Sequence, residues 1–360
     1  MRGFIEANPD KKWIRGTKWN TALFRGGIAQ KDFLDVDMCS LFGGVWTMMN
    51  RLSVAVAVAM TCALMPSSRP LQAAEGASSH YLPGANGDIF LAVPPEPGFQ
   101  AANTLWYQSG NAAAAVLEGQ IDLNLDIETL LGLLAVTYTF EKPVLGGSYT
   151  IGAVLPIGYA NLDATVTGPF GGALRVSEDS FNISDVALIP FQMNWASGPW
   201  SFKVAEIIVA PTGEYSLSNL VNLGRNYWSF DTVGAVTWFN PETGTEVSVA
   251  PGVMINTENS STNYRTGTEF HVDFTANQFV SPSLALGVRG YYYQQLTGDS
   301  GSGALLGDFK SDSFGVGPGF VWIPEFGGGQ LTVLGKWIHD FTAENRFESD
   351  YVTITGAWKF

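Results

Sequence analysis

Cysteine is nearly absent from this chain: its 360 residues hold two, Cys39 and Cys62, and none follows residue 74. The body of the protein therefore carries no disulfide, a composition compatible with the bacterial periplasm and outer membrane. Charge is scarce as well, at 14% of residues, against about 25% in soluble domains. Nine of the 19 Lys and Arg lie in residues 1–74, so the remainder sets ten of them against 28 Asp and Glu. Phosphate neutralisation needs Lys and Arg, so this acidic body argues against a nucleic-acid partner. After residue 75 the sequence also lacks any uninterrupted apolar run of the ~18 residues that a spanning helix requires.

Catalytic motifs are missing too. Histidine occurs three times, at His80, His271 and His339. None sits in a metal-ligating spacing such as H-E-x-x-H, and there is no GxSxG, P-loop or dinucleotide fingerprint. A Ser–His pair between Ser248 or Ser313 and His271 or His339 would mark an outer-membrane hydrolase, but nothing in the spacing supports it. The sequence therefore predicts no enzyme, no cofactor and no bound metal.

What is present is β-structure. Hydrophobic residues make up 46% of the chain, aromatics 13%, and glycine reaches 41 residues. From residue 129 onward the text falls into short segments punctuated by Gly, Pro, Asn, Asp and Ser, matching the about 9–11 residues that a transmembrane strand needs. Twelve segments are predicted: 129–140, 148–159, 163–176, 182–194, 200–211, 227–239, 245–256, 264–275, 283–295, 309–322, 330–340 and 350–360. Residues 103–109 and 117–126 would add a pair and raise the count to fourteen. Bacterial barrels have even counts. The expected fold is all-β, an antiparallel transmembrane β-barrel, with a soluble β-sandwich as the competing architecture.

Strand side chains alternate between two faces. In 264–274 one face carries Tyr264, Thr266, Thr268, Phe270, Val272 and Phe274, and the other Arg265, Gly267, Glu269, His271 and Asp273. A charge on the lipid face costs about 2–4 kcal/mol near the bilayer midplane, so the charged face must look inward. Glu269, His271 and Asp273 are expected to form a lumen ladder with Arg265 and Arg289. In 245–255, Val247, Val249, Pro251, Val253 and Ile255 point out and Glu246 and Ser248 point in. In 284–293 the inward set is Arg289, Tyr291 and Tyr293. Arg265, Glu269, His271, Arg289, Tyr291 and Tyr293 are the candidates for lining a substrate path. Glu206 shares a phase with Phe202, Val204 and Ile208, which requires a bulge or a rim position. Segment 129–140 is apolar on both faces, which suits a conduit for greasy molecules better than a water-filled pore. The last strand alternates Val352, Ile354, Gly356, Trp358 and Phe360 with Tyr351, Thr353, Thr355, Ala357 and Lys359. That apolar stripe with its terminal aromatic is similar to the C-terminal signature of outer-membrane barrels. The likeness implies that Trp358 and Phe360 are an assembly signal.

The amino terminus reads as a targeting segment. Asn50-Arg51 precedes the small-residue apolar run at 52–65, and Leu71-Gln72-Ala73 follows as a cleavage motif. This is a secretory signal peptide over 48–74, with cleavage expected after Ala73 or Ala74. Residues 1–47 are expected to be upstream read-through, with translation starting at Met48 or Met49.

Residues 75–110 hold Glu75-Gly76-Ala77, Tyr81-Leu82-Pro83-Gly84, Pro94-Pro95 to Pro97-Gly98-Phe99 and Leu105-Trp106-Tyr107. With Gly152, Leu155-Pro156, the GVGPGF run at 315–320 and the aromatic C-terminus, they resemble the outer-membrane phenol meta-degradation pathway family. The resemblance covers essentially residues 75–360. It implies an outer-membrane barrel that takes up aromatic compounds passively. Four prolines between 83 and 97 forbid a ladder strand there. Residues 75–128 are expected to be either a periplasmic lead-in or a plug inside the barrel, with the barrel itself at 129–360. The competing function is a porin-like or structural barrel without hydrophobic uptake. The partners implied are outer-membrane lipid and lipopolysaccharide, the barrel-assembly machinery and a small hydrophobic substrate, with the protein a monomer.

Overall fold

In the computed structural model of this protein, the described residues are 79–116, 121–167, 173–304, 310–324 and 330–359. The segments expected to be an upstream extension and a signal peptide, both cysteines and Phe360 lie outside them. The described residues contain thirteen strands and no helix long and apolar enough to cross a membrane. The strands are β1 (Gly98–Val116), β2 (Ile121–Thr139), β3 (Ser148–Thr167), β4 (Ala173–Ile183), β5 (Val186–Ser197), β6 (Trp200–Ala210), β7 (Ser229–Asn240), β8 (Thr245–Asn256), β9 (Glu269–Ser281), β10 (Leu284–Gln295), β11 (Asp312–Trp322), β12 (Gln330–Glu344) and β13 (Glu348–Lys359).

Every neighbouring pair is antiparallel, and β1 pairs with β13 from Gln100↔Lys359 to Asn111↔Glu348. That pairing closes a ring of twelve staves. In lipid, closure is what satisfies the backbone of a sheet, because an open edge would leave N–H and C=O groups without water. The extra strand is explained by β3, whose first half, Ser148–Val154, pairs with β5 and whose second half, Ile157–Thr167, pairs with β4. β4 and β5 are thus one lane of the wall, broken at Ser184–Asp185.

The count of twelve matches the expectation, but three boundaries differ. The barrel begins at Gly98 and not at 129, because β1 and β2 are full staves. The expected strand at 163–176 is instead the end of β3, a connection, and the start of β4. Strand β9 starts at Glu269, five residues later than expected at 264. Arg265 and Tyr264 therefore belong to the preceding loop.

The outward face is apolar, as β8 shows: its burial alternates strictly, with Val247, Val249, Val253 and Ile255 exposed and Glu246, Ser248 and Asn256 buried. In β13 the stripe has the expected phase, with Val352 and Ile354 exposed at 41% and 52% and Thr353 at 4%. Trp358 lies on the same strand beside Ala101 and Leu331. Glu206 does sit beside an irregularity: the β5–β6 register shifts between Leu188 and Phe191, and Phe191 pairs with Glu206. Its carboxylate accepts a hydrogen bond from Thr232 Oγ1 at 2.6 Å, which offsets part of its cost on that face. Short connections join β5 to β6, β7 to β8 and β9 to β10, while those at 211–228, 257–268 and 296–311 are long. Barrels keep short turns in the periplasm and long loops outside, which orients the molecule.

Candidate functional site

The lumen is filled by the chain's own residues 79–97, which run from the long-loop end to the periplasmic end. This segment has no ladder, so its polar groups must find other partners. Ser79 Oγ donates to Glu269 Oε2 at 2.8 Å. His80 bridges Ser229 Oγ at 2.6 Å and Asp185 Oδ2 at 2.9 Å. Tyr81 stacks on the His271 ring, centroids 4.2 Å apart, and its hydroxyl donates to Asp273 at 3.1 Å. Lower down, Lys336 Nζ donates to the carbonyls of Gly84 and Gly87 and pairs with Asp88 at 2.8 Å. The Phe90 N–H donates to Glu246 at 3.0 Å, and the Ala92 N–H to Thr237 Oγ1 at 3.0 Å. Asn194 Nδ2 returns a bond to the Ala92 carbonyl. Phe90 is held at φ 54, a strained conformation for a bulky residue. Its ring packs against Phe239 at 4.9 Å and Phe279 at 6.1 Å, which stabilises that turn. At the periplasmic end Glu96 pairs with Lys359.

The wall around this segment has two characters. On β1–β3 the inward face carries an apolar patch, with Trp106, Leu131 and Ala160 buried and Leu133 and Leu162 packed against them, flanked by the buried Thr129, Thr139 and Thr150. Val221 and Leu223 of the 211–228 loop fold onto the same cluster, so that loop roofs the apolar side. On β7–β10 the inward face is rich in charge, with Asp231, Glu246, Glu269, His271, Asp273 and Arg289 all buried, beside small apolar clusters that include Val233, Ala250 and Phe279.

Five of the six path candidates therefore do face the lumen. Glu269, His271, Arg289, Tyr291 and Tyr293 are each at most 1% exposed. Arg265 is the exception: it is exposed, and its guanidinium donates to the Asn256 carbonyl at 3.0 Å in the loop region. The ladder is accordingly not built with Arg265 or Arg289. His271 Nε2 lies 3.0 Å from Asp231 Oδ1, Glu269 accepts from Tyr293 at 2.8 Å, and Tyr291 donates to Asp340 at 2.5 Å. Asp185, Asp231, Lys336 and Asp340 escaped sequence reading. Asp185 and Lys336 are held by His80 and Asp88 of the plug, whereas Asp231 meets His271 and Asp340 meets Tyr291 across the wall.

Neither His271 nor His339 bonds Ser248 or Ser313; His339 instead faces Asp350 at 3.1 Å. A Ser–His–Asp chain does exist, as Ser229, His80 and Asp185. Catalysis needs an accessible hydroxyl within reach of a substrate carbonyl. Ser229 is wholly buried and its hydroxyl donates to Asn256 Oδ1 at 2.5 Å. The trio has the geometry of a clasp that fixes the head of the plug.

The clasp is sensitive to acid. Burial holds His80 below its ordinary 6.5, with Arg225 opposing protonation and Asp185 favouring it. Burial would raise Asp185, but bonds from His80 and from the Gly213 and Arg225 amides bring it below its ordinary 3.8. Both folded values lie below the unfolded ones, so stability is complete at neutral pH, is lost as pH falls below about 6.5 through His80, and is lost further below 3.8 through Asp185. The thermal midpoint is expected to drop between about pH 8 and pH 5, and His80→Gln to narrow that drop. Equal drops in both proteins, measured by scanning calorimetry, would contradict the assignment.

Among solved structures, the chain is similar to an outer membrane channel from Pseudomonas putida F1, at 15% identity and a TM-score of 0.56, covering 73% of this chain and 96% of that one. It is also similar to the beta domain of the Bordetella autotransporter BrkA, at 11% identity and a TM-score of 0.42, covering 74% of this chain and 100% of that one. No curated protein matches the sequence. The first likeness agrees with the closed, lipid-faced barrel in marking the protein as one of the bacterial outer membrane. A family model matches residues 102–355, which span β1 to β13, and the chain belongs to that family, described as "Putative MetA-pathway of phenol degradation".

Proposed function

We propose that this barrel is a channel for passive uptake of small hydrophobic, aromatic compounds across the outer membrane. The observation that carries the reading is the apolar patch on the inner face of β1–β3, where Trp106, Leu131, Leu133, Ala160 and Leu162 face the lumen. A water-filled pore would gain nothing from such a wall. An apolar solute gains about 25 cal/mol per Å² of surface removed from water there. The family description, which names phenol degradation, supports the aromatic class. Passage requires the plug to shift, so the solute moves down its gradient through a path gated by residues 79–97. The reading includes no catalysis, with Ser229–His80–Asp185 acting as a clasp. Tyr291 and Tyr293, which contact Tyr81 of the plug, then line the path beside it.

The polar ladder on β7–β10 favours the alternative, a porin-like passage for polar solutes. A deletion strain separates the two. Uptake of radiolabelled toluene and phenol is expected to slow and to be restored by the gene in trans, with sugar uptake unaffected. Unchanged aromatic uptake would reject hydrophobic transport, and a defect confined to polar solutes would favour the alternative.

A further inference from the structure

The GVGPGF run has no part in the reading so far, yet it shapes a second place in the lumen. Arg289 on β10 lies opposite Gly317 on β11, and Lys336 on β12 lies opposite Gly319. Directly paired residues share a face, so both cations project inward over a floor of glycine. The floor is needed. A Cβ on Gly319 would stand 2.5 Å from Arg289 Cδ, and one on Gly287 would stand 2.7 Å from Arg289 Nη1. These glycines leave a cradle in which the Arg289 side chain lies.

The guanidinium is only 1% exposed, and its Nε, Nη1 and Nη2 have no hydrogen-bond partner. A buried guanidinium without acceptors is expensive, and its planar fork matches a carboxylate. The acidic groups that act on it are Asp88 and Glu246. Asp88 belongs to the plug and is the carboxylate that Lys336 holds at 2.8 Å. Two residues further toward the periplasm on β11 and β12, and four on β10, the inward residues become apolar: Val321, Leu334 and Ala285 cluster with Phe279 and are packed by Phe90.

We propose that Arg289 and Lys336 form a binding site for the carboxylate of a small aromatic acid, whose ring enters the Phe279 cluster, and that Asp88 of the plug occupies this site as an internal competitor. The proposal deepens the uptake reading by naming a substrate class. An incoming carboxylate takes the open donors of Arg289 and displaces Asp88 from Lys336, so that binding and loosening of the plug are one event. Phenol and toluene have no carboxylate and do not compete.

Calorimetric titration of the purified protein with benzoate tests this, with benzyl alcohol as the neutral comparison. Benzoate is expected to bind, to bind about tenfold tighter to Asp88→Asn because the competitor is gone, and to lose binding in Arg289→Gln. Gly319→Ala, which fills the cradle, is expected to weaken benzoate and spare benzyl alcohol. Heat-modifiable mobility on gels reports folding of each variant. If Arg289→Gln fails to fold, Asp88→Asn and Gly319→Ala still decide the matter. Benzoate binding that is indifferent to Asp88→Asn, or benzoate and benzyl alcohol responding alike, would overturn the site. Binding to purified protein is read without transport, so its failure is separate from a failure of toluene uptake in cells.

Discussion

Deletion of residues 79–97 is expected to raise single-channel conductance in planar bilayers on the order of tenfold, because a ring of twelve staves sits between the eight that side chains alone can fill and the sixteen that leave an aqueous channel. The lumen is closed by the inserted segment and not by the wall. Tyr81, Ala92 and Ser79 of the segment are buried to the point of contact on all sides. Their removal leaves Glu269, His271, Asp273 and Lys336 facing water, which rehydrates these groups instead of stranding them. The barrel is therefore expected to stay folded by circular dichroism with a lowered thermal midpoint. Partial release has the same sign: Tyr81→Ala removes the ring that stacks on His271 and Tyr293. Brief openings should appear in that variant where the parent is quiet. A deletion variant that conducts no better than the parent would show that the wall or the outer loops close the path, and the plug assignment would fall.

The wall was legible because lipid imposes one rule on every stave. Alternation placed Glu246, Glu269, His271, Asp273, Arg289, Tyr291 and Tyr293 on the inner face, where they are buried. It failed at Tyr264 and Arg265, where a loop happens to continue the same period before β9 begins. It caught β1 only in part, as the optional segment 103–109, because the run Asn111–Ala115 is too small to look like a membrane strand. That part of β1 lies where the pairing with β13 has ended at Asn111, beyond the region that lipid patterns. The plug was legible only as an absence of ladder. Four prolines say that residues 83–97 pair with nothing; they do not say where the segment lies. Its seat is written in single inward residues on distant strands, such as Thr237, Asn194 and Lys336, whose roles emerge only when register brings them to one depth. Arg289 shows the limit most clearly. Its inward phase follows from alternation, but its unpartnered guanidinium depends on glycines at 287 and 319, from two other places in the sequence.

Ile354→Arg should lower the stability of the barrel in lipid vesicles by about 2–4 kcal/mol, the cost of an arginine facing hydrocarbon near the midplane. Residue 354 is near the middle of β13, with Leu105 of β1 on one side and Gly335 of β12 on the other. The Phe320 ring lies against Gly335, so the side chain at 354 has an apolar surround and no polar neighbour to reach. β13 is also the strand that closes the ring against β1. Weakening it strains closure itself, so slowed assembly should accompany the loss of stability. The control is one residue away and on the other face. Thr353 is buried inward with Oγ1 unpartnered, so Thr353→Val removes an unsatisfied group and should change stability by less than about 1 kcal/mol. Urea unfolding followed by tryptophan fluorescence measures both. If Ile354→Arg unfolds with the parent while Thr353→Val does not, the two faces of β13 have been assigned the wrong way round. The apolar stripe would then face the lumen, and the whole barrel would have to be turned by one residue of register.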